Sequence, residues 1–282
     1  MSKKISQLTQ VIPTQNSYVA ILENSATSKA KVEDLLNAII PKNASARNSV
    51  YRNKNLGSSV TEAQFAAIAA GTFDDMFVGD HWVINGVTWL IAGFNYWNST
   101  GYPSRLSKNH VVIVPRENIA SAKMNNSATT SGGYTGSDFY TGNNSNTGKA
   151  TAESVINAAF GSDHILTHRQ RLVNAVTDGI PSQLTWEDST FELMTESMLF
   201  GNAFASPAIN GTNNPLDQNG IDNAQLPLFA IDHQRIANGG DFWLRNVVSN
   251  SRFMRVENGG TKTTQSADSS YGIRPVFAII GS

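Results

Sequence analysis

Two histidines, His164 and His168, stand four residues apart in a stretch whose apolar residues fall at helical spacing, which can bring two imidazoles onto one metal ion. The residues between them are Ile165, Leu166 and Thr167, so the glutamate of an HExxH site is missing, and capping or packing at a helix start competes with metal binding. Glu187, Asp188, Glu192 and Glu196 form a local acidic cluster from which two carboxylates could act as general acid and base on a glycan. No residue nearby marks a water or a substrate between them. Exposed turn acids and a structural hydrogen-bond acceptor account for the same four residues. A GxSxG nucleophile elbow and a Walker-type phosphate loop are both absent. The reading is therefore of a protein that is not an enzyme and has no metal or other cofactor.

Aromatic residues set among Asn and Ser offer a different chemistry. Phe94, Tyr96, Trp97 and Tyr102 cluster after a hairpin signal, and Tyr134, Phe139 and Tyr140 lie in a long polar stretch. A flat apolar ring beside amides and hydroxyls suits a carbohydrate or a protein partner. Tyr96, Trp97, Tyr102, Tyr134 and Tyr140 are the candidate ligand-binding residues; the competing reading is that the rings pin their loops into the core. Asp241-Phe242-Trp243-Leu244-Arg245 and Tyr271-Gly272-Ile273-Arg274-Pro275-Val276-Phe277 each place an arginine in a dense apolar run, where it must be paired if buried, and both read as structural.

The elements that would position these residues follow from pattern. Tyr18 to Leu22 is a β-prone run after the turn at Pro13 to Asn16, with Ile5, Leu8, Val11 and Ile12 before it. Ser25 to Lys29 is a polar turn, and Val32, Leu35, Leu36 and Ile39 recur at helical spacing from a cap at Ser28 to a stop at Pro41. So small a unit cannot cover its own apolar faces, which predicts assembly. Asn43 to Ser59 lacks periodicity and reads as a connector. Thr61 to Ala70 predicts a capped helix ending at Gly71. Asn85-Gly86 between β-branched and aromatic runs predicts a hairpin with a type I′ turn.

Val111 to Val114 predicts a strand, Ser121 to Lys149 a long polar loop, and Thr151 to Phe160 and Asp163 to Val176 two helices, the second stopped by Gly179-Ile180-Pro181. Phe191 to Phe200 is ambiguous between helix and strand, Asn202 to Gln225 is a second long loop, and Phe242 to Val248, Arg252 to Val256 and Ile273 to Ile280 are β-prone. The expected organisation is a self-assembling segment over 1–42, a linker over 43–60 and a globular α+β domain over 61–282, to which the resemblance given below adds virion attachment for the first and recognition for the last.

Composition implies a surface covered largely by uncharged polar groups. The chain has 282 residues, 40% hydrophobic but only 15% charged, with a net charge of -1. Charge of that size supplies no attraction to phosphate backbones or anionic membranes, so nucleic acid is not an expected partner. There is no cysteine, which removes disulfides and thiolate metal sites. Neither a signal-peptide apolar core nor a run of about 18 apolar residues occurs, so membrane insertion and Sec export are not expected.

Several stretches carry a resemblance. The hairpin Gly79 to Ile91, Asn125 to Tyr140 with its Gly-Gly-Tyr-Thr-Gly-Ser-Asp core, Phe191-Glu192-Leu193-Met194-Thr195-Glu196, Phe242-Trp243-Leu244-Arg245 and Tyr271-Gly272-Ile273-Arg274-Pro275 resemble, in order and spacing, a C-terminal domain of unknown function found in bacteriophage fibre and tail proteins. The Trp-Leu-Arg and Gly-Ile-Arg-Pro-Val-Phe endings also resemble C-type-lectin-like and formylglycine-generating-enzyme-like domains, where they form closing core strands. The calcium ligands of true lectins are not recognisable, and the catalytic cysteines of the sulfatase-modifying enzymes cannot exist here. Lys4-Ile5-Ser6-Gln7-Leu8 and the run to Lys29-Ala30-Lys31-Val32 are similar to N-terminal segments that anchor phage tail and head fibres. The resemblance implies a virion fibre or appendage, a homotrimer by family habit, joined to other virion proteins through its N-terminal segment and contacting a host surface glycan or protein. A head fibre, collar or decoration protein is the alternative it leaves open; a glycan depolymerase is the weaker third.

Overall fold

The structure, a computed structural model, describes residues 17–23, 26–202, 224–237 and 239–281. It divides into two compact units, one ending at Lys42 and one spanning Asn43–Ser282.

In the smaller unit β1 (Tyr18–Glu23) pairs antiparallel with β2 (Ala26–Lys31), and α1 (Val32–Ile39) follows without a loop. Ser28, expected as the helix cap, lies inside β2 opposite Ile21, so the strand runs on through the predicted turn. Tyr18, Val19 and Ile39 are 56%, 42% and 74% exposed, with Tyr18 and Val19 on opposite faces of β1. The stretch from Ile5 to Ile12 lies outside the described residues, as does most of the loop from Asn202 to Gln225.

The larger unit begins where a linker was expected, and the stretch is built into the fold instead. Asn43 caps α2 (Ala44–Arg47), whose Arg47 is wholly buried over the Phe77 ring at 4.3 Å. Tyr51 and Asn55 make parallel bridges to Val78 and His81. Buried Asp80 anchors this segment, accepting hydrogen bonds from the Arg52 guanidinium and from the Lys54 and Phe77 amides, the last two at 2.7 and 2.9 Å. Polar, aperiodic sequence reads as linker, but here its basic side chains and amides are what a buried carboxylate requires.

Next comes α3 (Glu62–Ala70), held by a complete capping box in which the Thr61 hydroxyl accepts from the Gln64 amide and Gln64 Oε1 accepts from the Thr61 amide. Strands β3 (His81–Ile84) and β4 (Val87–Phe94) form the predicted hairpin; Asn85 and Gly86 both have positive φ, 51° and 80°, as a type I′ turn demands. The chain continues through β5 (Val111–Pro115), β6 (Ala120–Lys123), α4 (Asp138–Thr141), α5 (Gly148–Phe160), β7 (His168–Thr177), β8 (Ile180–Ser189), β9 (Phe191–Leu193) and α6 (Glu196–Phe200). It closes with α7 (Pro227–Ile231), α8 (Gln234–Ala237), β10 (Phe242–Ser249), β11 (Arg252–Val256), β12 (Lys262–Ser266), β13 (Ser270–Ile273) and β14 (Pro275–Ile279).

Two five-stranded sheets, ordered β3-β4-β5-β14-β9 and β12-β11-β10-β13-β6, make the unit a mixed α+β structure rich in sheet. Strands β5 and β14 are buried at every position, which is why they read as continuous apolar runs. Trp89 packs edge-on against Phe160 and Phe277 between α5 and the first sheet. A single residue, Arg274, separates β13 in one sheet from β14 in the other. Fully buried, it donates to the carbonyls of Pro115, Ile236 and Arg235 at 2.9, 3.1 and 2.9 Å. The arginine that the sequence marks as needing a partner thus fastens the corner where the chain changes sheets.

The helix predicted over Asp163 to Val176 is not formed. Ser162–His164 is a short 3-10 turn, and β7 pairs antiparallel with β8 as a separate two-stranded hairpin. The Asp178-Gly179 pair at its tip has φ of 52° and 80° and does the same work as Asn85-Gly86. The ambiguous stretch after it resolves into both forms, strand β9 and then helix α6 capped by Thr195.

Candidate functional site

Without the helix, the two histidines part. His164 stacks on Phe65 with ring centroids 3.7 Å apart. His168 opens β7, buried 4.2 Å from the Trp97 ring, and neither of its nitrogens meets a hydrogen-bond partner. Burial first, and neighbouring His110 second, drive its pKa down to about 3, so it is a neutral core imidazole. His110, whose ring stacks 6.0 Å from that of Trp97, accepts from the Trp97 amide through Nε2 at 3.1 Å, and burial lowers its pKa to about 4. Among the described residues no group of three His, Cys, Asp or Glu side chains is placed to hold a metal ion.

The four acids are dispersed as well. Glu192 is wholly buried in β9, accepting from the Ser189 hydroxyl at 2.5 Å and facing Lys149 Nζ at 3.5 Å. Glu196 is wholly buried at the start of α6 and paired with Lys262 Nζ at 2.6 Å. Glu187 accepts from the Thr185 hydroxyl at 3.2 Å, and Asp188 is exposed and bound by Arg169. Each buried carboxylate has its own lysine, the arrangement that a structural acid needs and a shared-proton pair does not.

Of the five aromatic candidates, three are core residues. Tyr96, Trp97 and Tyr134 are 7%, 1% and 1% exposed. The Tyr96 hydroxyl donates to the Ala224 carbonyl at 2.6 Å, and the Tyr134 hydroxyl accepts from the Leu193 amide at 3.3 Å. Tyr140 is half-buried beneath Lys149, whose Nζ lies 3.3 Å from the ring centroid. These rings pin their loops, the competing reading of the sequence. Tyr102 differs, being 59% exposed.

Tyr102 borders the outer face of the β7–β8 hairpin. Buried His168, Gln170 and Leu172 alternate with outward Arg169, Arg171 and Val173, and across the pairing these outward residues stand opposite Asp188, Trp186 and Leu184. Arg169 binds Asp188 through two bonds, Nε to Oδ1 at 2.9 Å and a terminal nitrogen to Oδ2 at 3.1 Å. Its third nitrogen reaches the Tyr102 carbonyl at 3.3 Å and ties the loop to the hairpin. The Tyr102 and Trp186 rings lie 6.5 Å apart with planes 32° from parallel, and the Arg171 guanidinium sits 6.0 Å from the Trp186 ring. On the inner face, Gln170 Oε1 accepts from Arg245 at 2.8 Å, so the ledge rests on a fixed base.

This ledge offers two aromatic faces beside a doubly hydrogen-bonded ion pair. A second, shallow cleft of about 220 Å³ is lined by Lys123, Asn126, Asp138, Asn144 and Asn146, and its Asp138 accepts from the Asn126 amide at 2.6 Å and the Asn144 side chain at 2.9 Å. Sequence reasoning finds Tyr102, names Asp188 only as one of four clustered acids, and misses Trp186 and Arg169. The signal that would have found them is Asp178-Gly179, of which the sequence reading uses only Gly179, as part of a helix stop.

No family model matches the chain, and neither the curated proteins nor the solved structures contain a match to it.

Proposed function

We propose that the chain is a structural protein of a bacteriophage virion, a fibre or appendage subunit in which the small unit mediates attachment and self-association, as a homotrimer, and the larger unit contacts the host surface. The observation that carries this reading is the division of labour between the units. The hairpin and helix that end at Lys42 expose Tyr18, Val19 and Ile39, apolar surface that another chain could cover, whereas the larger unit has its own core. The sheet-rich α+β unit, with Trp243 in β10 and Arg274 at the corner between β13 and β14, is compatible with a C-type-lectin-like scaffold that displays variable loops. The locking of Glu192 and Glu196 by Lys149 and Lys262 speaks for recognition without hydrolysis.

Cryo-electron microscopy of the particle tests this. Density for the chain on an outward-facing appendage, with the smaller unit at the attached end, is the expected result. A collar or capsid location would make it a decoration protein or head fibre, and absence from the particle would overturn the virion assignment.

A further inference from the structure

We infer that the outer face of the β7–β8 hairpin, with Tyr102, Trp186, Arg169 and Asp188, is a saccharide-binding ledge for an uncharged pyranose unit. The inference rests on the surface-recognition reading and names its ligand class.

Three features select that ligand. A pyranose presents a flat patch of C–H groups, which the exposed Tyr102 ring and the half-buried Trp186 ring can cover, as aromatic residues with an apolar body and a polar edge do at other recognition surfaces. Beside the rings, the Arg169 guanidinium and the Asp188 carboxylate form a coplanar pair of donors and acceptors. Asp188 is 58% exposed at its side chain, and each of its oxygens keeps a lone pair beyond the one given to Arg169. Neighbouring ring hydroxyls, each both donor and acceptor, match such a pair. Because Arg169 already carries its counter-charge, an anionic sugar would gain little from that cation and would meet the carboxylate; the pair is tuned to hydroxyls.

The third feature is rigidity. Arg169 holds the Tyr102 carbonyl, Gln170 and Ser189 on the inner face are bonded to Arg245 and Glu192, and Trp97 packs against His168 at the foot of the strand. A ligand therefore meets rings and an ion pair already in place, and little ordering cost is added on binding.

The chain provides its own reporter. Of its five tryptophans, Trp82, Trp89, Trp97 and Trp243 are at most 1% exposed, so a ligand at the ledge perturbs the fluorescence of Trp186 alone. The full chain is titrated with gluco-, manno-, galacto- and N-acetylglucosamine oligosaccharides and with oligogalacturonate, following emission and calorimetric heat. At least one neutral oligosaccharide is expected to bind and shift the emission. Trp186→Ala and, on the surface, Asp188→Asn should each weaken it about tenfold or more, while Tyr140→Phe leaves it unchanged. Failure of every neutral sugar to bind, binding indifferent to both Trp186→Ala and Asp188→Asn, or preference for oligogalacturonate each overturns the inference. Sedimentation with host envelope fragments separates the two levels. Envelope binding that both ledge variants retain sinks the ledge and leaves surface recognition standing, whereas no envelope binding by the unaltered chain sinks surface recognition itself.

Discussion

The imidazole of His168 packs 4.2 Å from the indole of Trp97 with no hydrogen bond to either of its nitrogens. A proton added there would be a buried charge with no carboxylate bonded to it, and for His110 both nitrogens are already engaged, with the Trp97 amide and the Lys108 carbonyl. Both pKa values are depressed by burial, from 6.5 to about 3 and about 4, so the unfolded chain binds protons that the folded one refuses. Stability is therefore full above pH 6.5 and falls as the pH drops below it, by up to about 1.4 kcal/mol per pH unit for each imidazole, until the folded-state values are reached. Urea unfolding at pH 7.5, 6 and 5 should trace this slope, and His168→Phe should remove the share due to one imidazole.

Glu192 should behave as a structural acid. Glu192→Ala strands the Lys149 cation and the Ser189 hydroxyl in the interior and is expected to cost about 3–5 kcal/mol in urea unfolding. Asp188→Asn, on the exposed face, should leave the unfolding midpoint where it is. Equal effects at the two positions would contradict the burial that separates them.

The corner residue should tolerate no substitute. Burial first, and the nearby Arg235 charge second, lower the Arg274 pKa to about 9, which still leaves it a cation at neutral pH. Lysine has one nitrogen where three carbonyls need a fork, so Arg274→Lys is expected to lose about 2–4 kcal/mol, and Arg274→Met a similar amount. Thermal unfolding with an unchanged far-ultraviolet spectrum below the transition checks both.

Removing residues 1–42 should separate assembly from folding. The 43–282 fragment keeps its whole core and is expected to unfold cooperatively as a monomer, while the full chain is multimeric by light scattering. A multimeric fragment would move the self-association surface into the larger unit.

Where local chemistry dictated structure, the sequence was legible. Thr61 with Gln64, Asn85 with Gly86 and the apolar runs of β5 and β14 lie where propensity and pattern place them. The β7–β8 hairpin was not, and the reason is physical: its inward face mixes Leu172 with His168, Gln170, Thr185, Glu187 and Ser189, and its outward face mixes Trp186 with Arg169, Arg171 and Asp188. Neither face is uniformly apolar, so no clean alternation marks the strands and Ile165, Leu172 and Val176 mimic a helical stripe. The candidate site was hidden with it. Tyr102 could be named as an aromatic in a polar loop, but its partners come from a cross-strand pairing that spacing along the chain does not reveal. The expected linker failed for a related reason, since Arg47, Arg52 and Lys54 are drawn inward by Phe77, Asp75 and Asp80.

Strand β14 lies between β5 and β9 in the first sheet, and β13 lies between β10 and β6 in the second. On the ribosome, both sheets must wait with an open slot until residues 270–279 emerge, because the strands that flank each slot are made first. A chain released early by a nonsense codon would then lack the fourth strand of both sheets, leave β9 and β6 without their neighbour, and remain unfolded, so that translation to the last strands decides which copies can fold.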